Sequence, residues 1–353
     1  MLSAGMALAS WSSCVTPAEP APVPSEVVTV TEAELSPTLE AEAEVEVEEK
    51  QAPPAIPMPR PEDAEGDRAQ ELRHDRDARR SELSAAIALQ PGWNLYECEH
   101  YFLATPIDDP RLIDGLKRRC DALSRALLET YPPARTAARK LPTDRSVIRV
   151  LPSREAFQRA GASPGTTCYW NEERKEIVMF DDTSAGGRGT ETWPALQHIV
   201  VHEYLSRTLQ ADDTAAWIKF GIAAHYEGLE LGPAGWEAPQ EDPRWRELDA
   251  QLTAAECVPL ERLLRYTTEE FYGANAEDSG GRRNLILAWS LYEYLRTDEL
   301  RYTPAARIPS LYLRARSAGS DHARALEAAL AEVNLPALEK DWRDWLMQRT
   351  DSL

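Results

Sequence analysis

The stretch His198-Ile-Val-Val-His202-Glu203-Tyr-Leu-Ser206 is the most informative part of this chain, because it falls one residue short of a metal-binding helix. A zinc-binding helix of the form His-Glu-x-x-His places two imidazoles one turn apart, with a carboxylate beside the first. Here His202 and Glu203 are present, but Ser206 stands where the second imidazole is required. The apolar neighbours of the pair predict a largely buried helix, and buried polar side chains need partners. The pair is therefore either an ordinary hydrogen-bonded core pair or the remnant of a metal site.

A second segment follows at residues 217–227, with the sequence WIKFGIAAHYE. The two segments together resemble the gluzincin-like (thermolysin-type) metallopeptidases, and within them the bacterial domain of unknown function 1570. In that family His-Glu-x-x-His is followed, on the next helix, by Trp-x-x-Glu-Gly-x-Ala-x-Tyr. Trp217, Gly221 and Ala223 match this second motif, and Tyr226 lies one place late.

The resemblance extends over roughly residues 95–348, through looser pieces in the family's order. Residues 99–105 resemble its opening strand and residues 146–157 its strand-and-helix unit. Residues 288–295 resemble its Trp-Ser-Leu helix and residues 338–346 its closing helix. Each piece is weak alone, but their order favours a zincin-like fold.

What the resemblance implies for the site is specific. His202 matches the first zinc ligand, and Glu203 matches the general base that deprotonates a metal-bound water. Ser206 and Phe220 occupy the positions of the other two ligands, and neither supplies a suitable donor. A catalytic zinc site uses three protein ligands, so both remaining residues are expected to be vestigial, with no cofactor bound.

An alternative metal site can be built from other residues. His198 and His202 are four residues apart and share a helix face, and His225 or Glu227 on the following helix would add a third ligand. Zinc would then be the expected metal. Ile199 follows His198, however, so this arrangement lacks a base beside its first ligand.

The first 16 residues carry no charge and lean apolar up to Cys14. They are typical of the end of a bacterial lipoprotein signal whose basic beginning lies upstream of Met1, with Cys14 as the lipidated residue. The alternative is an unstructured N-terminus with a chance cysteine. The expected location is the bacterial periplasm or cell envelope, with a lipid tether to the membrane.

Residues 17–66 contain ten of the 26 prolines, and 13 acidic against two basic side chains. This composition predicts a disordered, extended segment, which serves as a tether or as a solvated tail of no specific role. Residues 67–94 are predicted to form a charged helical lead-in.

The net charge of −20 argues against a nucleic-acid partner, since phosphate binding needs clustered Lys and Arg. Four cysteines follow the tether, at positions 98, 120, 168 and 257, and show no metal-binding spacing. Buried free thiols and one or two disulfides both remain open.

The expected fold is α+β, with a small N-terminal sheet followed by a mainly helical half in a domain over 95–350. Strands are predicted at 99–105, 146–151, 166–170 and 176–180, and most of the chain beyond 193 is predicted to be helical. The favoured hypothesis is a secreted or envelope-anchored pseudopeptidase that binds a peptide or protein partner in the former active-site groove. The competing hypotheses are an active metallopeptidase with the rearranged site and a structural envelope protein.

Overall fold

The computed structural model describes residues 61–132, 145–163, 165–171, 174, 176–183, 191–208, 214–239, 242–252, 258–272 and 279–350. Cys14, Cys257 and residues 17–60 of the proposed tether lie outside this range, so the predictions made for them stay predictions. The chain divides into two units, and the described residues from Leu72 onward belong to the second of them. Of the first unit only the beginning of helix α1 (Pro61–Ala88) is described.

Helix α1 begins at Pro61, six residues before the predicted start of the lead-in and within the segment expected to be disordered. Proline is well suited to the first turn of a helix, where its missing N–H has no partner to lose. Toward the end of α1, Leu83 and Ile87 are buried, and they pack with Phe102, Ala104 and Val147.

A five-stranded mixed sheet forms the first half of the second unit. Its strands are β1 (Asn94–Glu97), β2 (Tyr101–Thr105), β3 (Ser146–Leu151), β4 (Cys168–Asn171) and β5 (Glu176–Phe180). The spatial order is β1-β2-β3-β5-β4. The three inner strands are parallel, and each edge strand is antiparallel to its neighbour. The inner strands are buried on both faces, as expected for a sheet covered by helices on two sides.

The helical half follows the sheet. The helices of the second unit are α2 (Pro110–Thr130), α3 (Arg154–Arg159), α4 (Thr192–Glu203), α5 (Ala216–Glu227), α6 (Arg244–Leu252), α7 (Leu260–Arg265), α8 (Thr268–Tyr272), α9 (Ser279–Leu295), α10 (Ile308–Ser317), α11 (His322–Leu330) and α12 (Leu335–Thr350). A π-helical turn, Tyr204–Thr208, continues α4. A short hairpin, β6 (Glu230–Gly232) with β7 (Gly235–Glu237), follows α5.

Helix α5 lies at the centre of the helical half, between α4 and α9. Gly221 permits the close approach of α5 to α9, because a Cβ at this position would lie 2.9 Å from the carbonyl oxygen of Ala288 and 3.1 Å from Cβ of Tyr292. The glycine of the second motif therefore serves helix packing. No helix in the described part of the chain is both long enough and apolar enough to span a bilayer.

The α+β architecture is confirmed, with the sheet first and the helices after it. The strand-and-helix unit at β3–α3 also matches its prediction, and Ser153 caps α3 by accepting a hydrogen bond from Ala156 N at 3.2 Å. The sequence analysis missed β1, the β6–β7 hairpin, α6 and α8, which are three to nine residues long. Elements of this length carry too few periods of an apolar pattern to be recognised.

Three of the four cysteines that follow the tether are described: Cys98 and Cys120 are buried free thiols, and Cys168 is also buried. Burial raises the pKa of the Cys98 thiol to about 12, with the nearby Asp121 carboxylate as a further cause. A thiol of this kind stays protonated and is a poor nucleophile.

Candidate functional site

Helix α4 carries the motif between the sheet and α5. Asp182 holds its N-terminus, because one carboxylate oxygen accepts from Thr192 N and the other from Glu191 N, both at 3.1 Å. A carboxylate at a helix N-terminus satisfies free N–H groups and complements the helix dipole. The helix is thereby fixed at its start, and nine of its twelve residues are buried, including His202 and Glu203.

Glu203 is engaged on the sheet side of α4. Its Oε2 accepts a hydrogen bond from the Tyr101 hydroxyl at 2.8 Å, and its Oε1 accepts one from Ser146 Oγ at 2.7 Å. Nε of Arg207, one turn later, lies 2.5 Å from Oε1. Only 7% of Glu203 is exposed. The carboxylate is therefore a buried connection between β2, β3 and the end of α4.

The same contact helps to keep the Tyr101 hydroxyl protonated. Burial raises the pKa of Tyr101 well above its ordinary value, and the Glu203 carboxylate raises it further by charge and by the hydrogen bond. Tyr101 is therefore a permanent donor to Glu203, and a carboxylate held by such donors is directed into the core.

His202 lies on the other side of α4 in a different state. Its ring is 6% exposed, and its Nε2 has no hydrogen-bond partner among the described residues. Burial lowers the pKa of His202 well below its ordinary value, with His198 and Lys219 as further causes. The imidazole is therefore neutral at physiological pH.

Phe220 of α5 packs against this imidazole. The edge of its ring meets His202 with ring centroids 5.1 Å apart, and it also contacts Phe271 at 5.5 Å and Tyr272 at 5.3 Å. Positions 202 and 220 thus converge, as the resemblance implies, but the contact between them is aromatic packing.

Ser206 is half-buried and lies inside the π-helical turn that follows α4. In such a turn the backbone bonds run from i to i+5, and single π turns are frequent at functional sites. Its hydroxyl is four residues after His202, at the position the resemblance assigns to the second ligand.

The structure brings three residues of the alternative metal site together and directs His225 elsewhere. The rings of His198 and His202 are stacked with centroids 4.6 Å apart. Nδ1 of His198 lies 3.0 Å from Oε2 of Glu227. Nδ1 of His225 lies 2.7 Å from Oε1 of Glu293 on α9, and its ring packs on Tyr292. Among the residues that the structure describes, no group of three or more His, Cys, Asp or Glu side chains is placed to hold a metal ion.

The family's zinc site does not fit the residues present. The three positions hold one imidazole, one hydroxyl and one phenyl ring, and the carboxylate at the general-base position accepts two hydrogen bonds and forms an ion pair with Arg207. No step of a reaction can be derived through zinc at these positions.

Several residues that shape this site were missed from the sequence. Arg207 follows Glu203 by four residues, and this spacing is a visible signal for a helical ion pair. Tyr101 and Ser146 are the first residues of β2 and β3, and Glu293 lies on α9; none of the three has a local signal, because each reaches its partner only through the fold.

Comparison with known proteins gives no match, either to a protein-family model or to a curated protein sequence. The gluzincin-like assignment therefore stays a prediction that rests on the residues quoted above.

Proposed function

We propose that this chain is a non-catalytic protein with a metallopeptidase-like architecture, which binds an extended peptide segment of a partner. The proposal that the protein is non-catalytic rests on the environment of Glu203. A general base must lie within hydrogen-bond reach of the water that it deprotonates. Glu203 instead accepts from Tyr101 and Ser146 and pairs with Arg207, at 7% exposure.

The second part is supported by the edge of the sheet. Strand β4 pairs with β5 on one side only in the described part of the sheet. Its residues after Cys168 are half-buried, and Cys168 Sγ lies 3.6 Å from the carbonyl oxygen of Ala195 on α4. An edge strand offers main-chain N–H and C=O groups to an extended peptide, which binds by adding a strand.

The test uses proline on the edge strand. Successive residues of an edge strand point their N–H groups to opposite sides, so one of Tyr169→Pro and Trp170→Pro removes an outward donor and keeps the β4–β5 ladder. The variant that keeps the melting temperature of the wild type is the one to use. The matched control is the same pair of substitutions on the opposite edge strand, Leu95→Pro and Tyr96→Pro in β1.

Linear peptides selected from a random phage library on the wild-type protein serve as the probe. We expect them to bind the β1 variant like the wild type and to bind the β4 variant at least tenfold more weakly, since several backbone hydrogen bonds are lost. Equal binding to the β4 variant, or no selected peptide, would overturn the peptide-binding proposal.

The location is part of the same proposal and rests on the sequence alone. An uncharged run ending in Cys14 supports an envelope protein held by a lipid, and the Pro/Glu-rich segment supports a tether. Cell fractionation of the source bacterium tests this: Cys14→Ala should move the protein out of the membrane fraction. Recovery of the unsubstituted protein in the soluble cytoplasm contradicts it.

A further inference from the structure

A hydrogen-bonded chain of three residues joins the start of α5 to α10 and α11. The backbone N–H of Ala215, the residue before α5, donates to the Tyr312 hydroxyl of α10 at 2.9 Å. The same hydroxyl oxygen lies 2.9 Å from Nδ1 of His322, the first residue of α11. Tyr312 is fully buried. Since Ala215 is 97 residues from Tyr312 in the sequence, this chain is a tertiary contact that fixes the position at which α5 begins.

The direction of the hydrogen bonds in this chain follows from their chemistry. A backbone N–H can only donate, so the Tyr312 oxygen accepts from Ala215. Burial raises the pKa of Tyr312 to about 12, so the hydroxyl keeps its proton. Among the described residues, Nδ1 of His322 is the acceptor within reach of that proton. Nδ1 is therefore unprotonated, and the neutral imidazole has its proton on Nε2.

Protonation of His322 is incompatible with this arrangement. Both nitrogens of a charged imidazole are donors, so Nδ1 can no longer accept from the Tyr312 hydroxyl. The hydroxyl oxygen would then lie between two donors, the Ala215 N–H and Nδ1–H, and its own proton would have no acceptor among the described residues. A buried polar group that loses its partner is costly. The chain therefore keeps its present form only while His322 is neutral.

The charges around His322 favour the neutral form at physiological pH. Burial lowers the pKa of His322 from its ordinary value, and the guanidinium groups of Arg316 on α10 and Arg265 on α7 lower it further. Asp321, which caps α11, acts in the opposite direction. The imidazole is only half-buried, so protons from the solvent reach it. Acidification below the ordinary pKa of histidine therefore charges the ring.

We propose that His322 is a pH-sensitive switch: in its neutral form it accepts the Tyr312 hydroxyl and holds the start of α5 in place, and its protonation in acid releases that start. The effect reaches the candidate site, because α5 carries Phe220, which packs against His202. The proposal concerns the response of the fold to pH and does not depend on the proposed peptide binding.

The experiment measures hydrogen exchange of the Ala215 amide by NMR in the full chain, at pH values of about 7.5 and about 5, between which histidine changes its charge. Dividing the intrinsic rate at each pH by the observed rate gives a protection factor, which reports the local opening alone. In the wild type this factor is expected to fall about tenfold or more on acidification, since roughly the free energy of one hydrogen bond is lost. The amide of Phe157 in α3, which donates to the carbonyl of Ser153, is the internal reference and should change less.

Three variants identify the group that titrates. His322→Asn places an amide oxygen close to the position of Nδ1 and has no charge to gain, so the Ala215 amide should stay protected at both pH values. Tyr312→Phe removes the acceptor of that amide, so protection should be low at both. The control His74→Asn removes an exposed histidine of α1 and should behave like the wild type.

Melting temperatures at neutral pH check that each variant is folded, and His322→Asn decides the outcome if Tyr312→Phe is not. Equal protection of the Ala215 amide at the two pH values in the wild type would overturn the proposal. A fall in His322→Asn equal to that in the wild type would also overturn it, because the titrating group would then lie elsewhere.

Discussion

Two adjacent residues of one motif, His202 and Glu203, face opposite sides of α4 and differ in their hydrogen bonding. On the sheet side, Glu203 has two hydroxyl donors and an arginine within bonding distance. On the α5 side, His202 has aromatic neighbours and an unpaired nitrogen among the described residues. The difference follows from charge. A buried carboxylate is costly unless it is paired, whereas a buried imidazole can shed its proton and remain at small cost. A buried histidine of this kind therefore needs few partners, whereas the neighbouring glutamate needs donors.

Among the substitutions that test this comparison, the largest loss of stability is expected from replacing Glu203. Glu203→Leu leaves the Tyr101 hydroxyl, Ser146 Oγ and the Arg207 guanidinium without their acceptor, and we expect a loss of about 3–5 kcal/mol of unfolding free energy. Urea denaturation measures it.

Glu227→Leu is the matched control for that measurement, because Glu227 has one such contact within the described part of the chain, to His198. We expect a cost of about 1 kcal/mol there. Similar losses in the two variants would show that the three contacts of Glu203 do not act as a unit.

The next effect concerns positions 206 and 220. Ser206→His combined with Phe220→Glu should create a three-ligand zinc site with His202. The metal-free protein should be destabilised by its unpaired buried carboxylate. Zinc at 100 times its Kd should restore about 2.7 kcal/mol, since it binds only the folded state.

Thermal melting with and without zinc measures this effect, and each single substitution serves as a control that should show little response. A double variant that folds and ignores zinc would mean that position 206, within the π-helical turn, does not face His202. The interpretation of the motif would then be wrong, although the contact between Phe220 and His202 would remain.

Whether a contact in this site could be predicted depends on how far apart its residues lie along the sequence. The helix around His202 and its burial could be predicted, because apolar neighbours and helical periodicity are local signals. The approach of the segment at 217–227 was expected only from the resemblance. The hydrogen-bond partners of the Glu203 carboxylate could not be predicted, because Tyr101 is 102 residues away in the sequence and Ser146 is 57 residues away.

The residues of the alternative metal site show the same limit of prediction from sequence. Helical spacing correctly placed His198 beside His202. It could not decide between His225 and Glu227, which are two residues apart on α5 and therefore face different neighbours. Only the packing of α5 between α4 and α9 sends Glu227 to His198 and His225 to Glu293.

A smaller effect is the pH dependence of stability contributed by His202. Its pKa in the folded state is lowered well below the ordinary value, so the unfolded chain binds the proton more readily. Stability should fall as pH drops below about 6.5, the ordinary pKa of histidine, by up to about 2 kcal/mol between pH 7 and pH 5 for this group.

The measurement is the difference between wild type and His202→Gln in urea unfolding at the two pH values. His322, whose pKa is also lowered by burial, acts in the same direction and remains in both proteins, so it cancels in this difference. Parallel stability curves for the two proteins would contradict a buried neutral His202.

The smallest effect is expected from removing the imidazole altogether. In metal-free protein at pH 7.5, His202→Leu should change the unfolding free energy by no more than about 1 kcal/mol in either direction, because removal of an unsatisfied polar atom offsets the cost of repacking. The midpoint of urea unfolding, at constant slope, measures it. The test is severe because Glu203, the next residue on the same helix, is expected to cost several times more when replaced by the same side chain. A loss of about 3 kcal/mol for His202→Leu would mean that Nε2 has a partner in solution, and the two sides of α4 would then be stabilised in the same way.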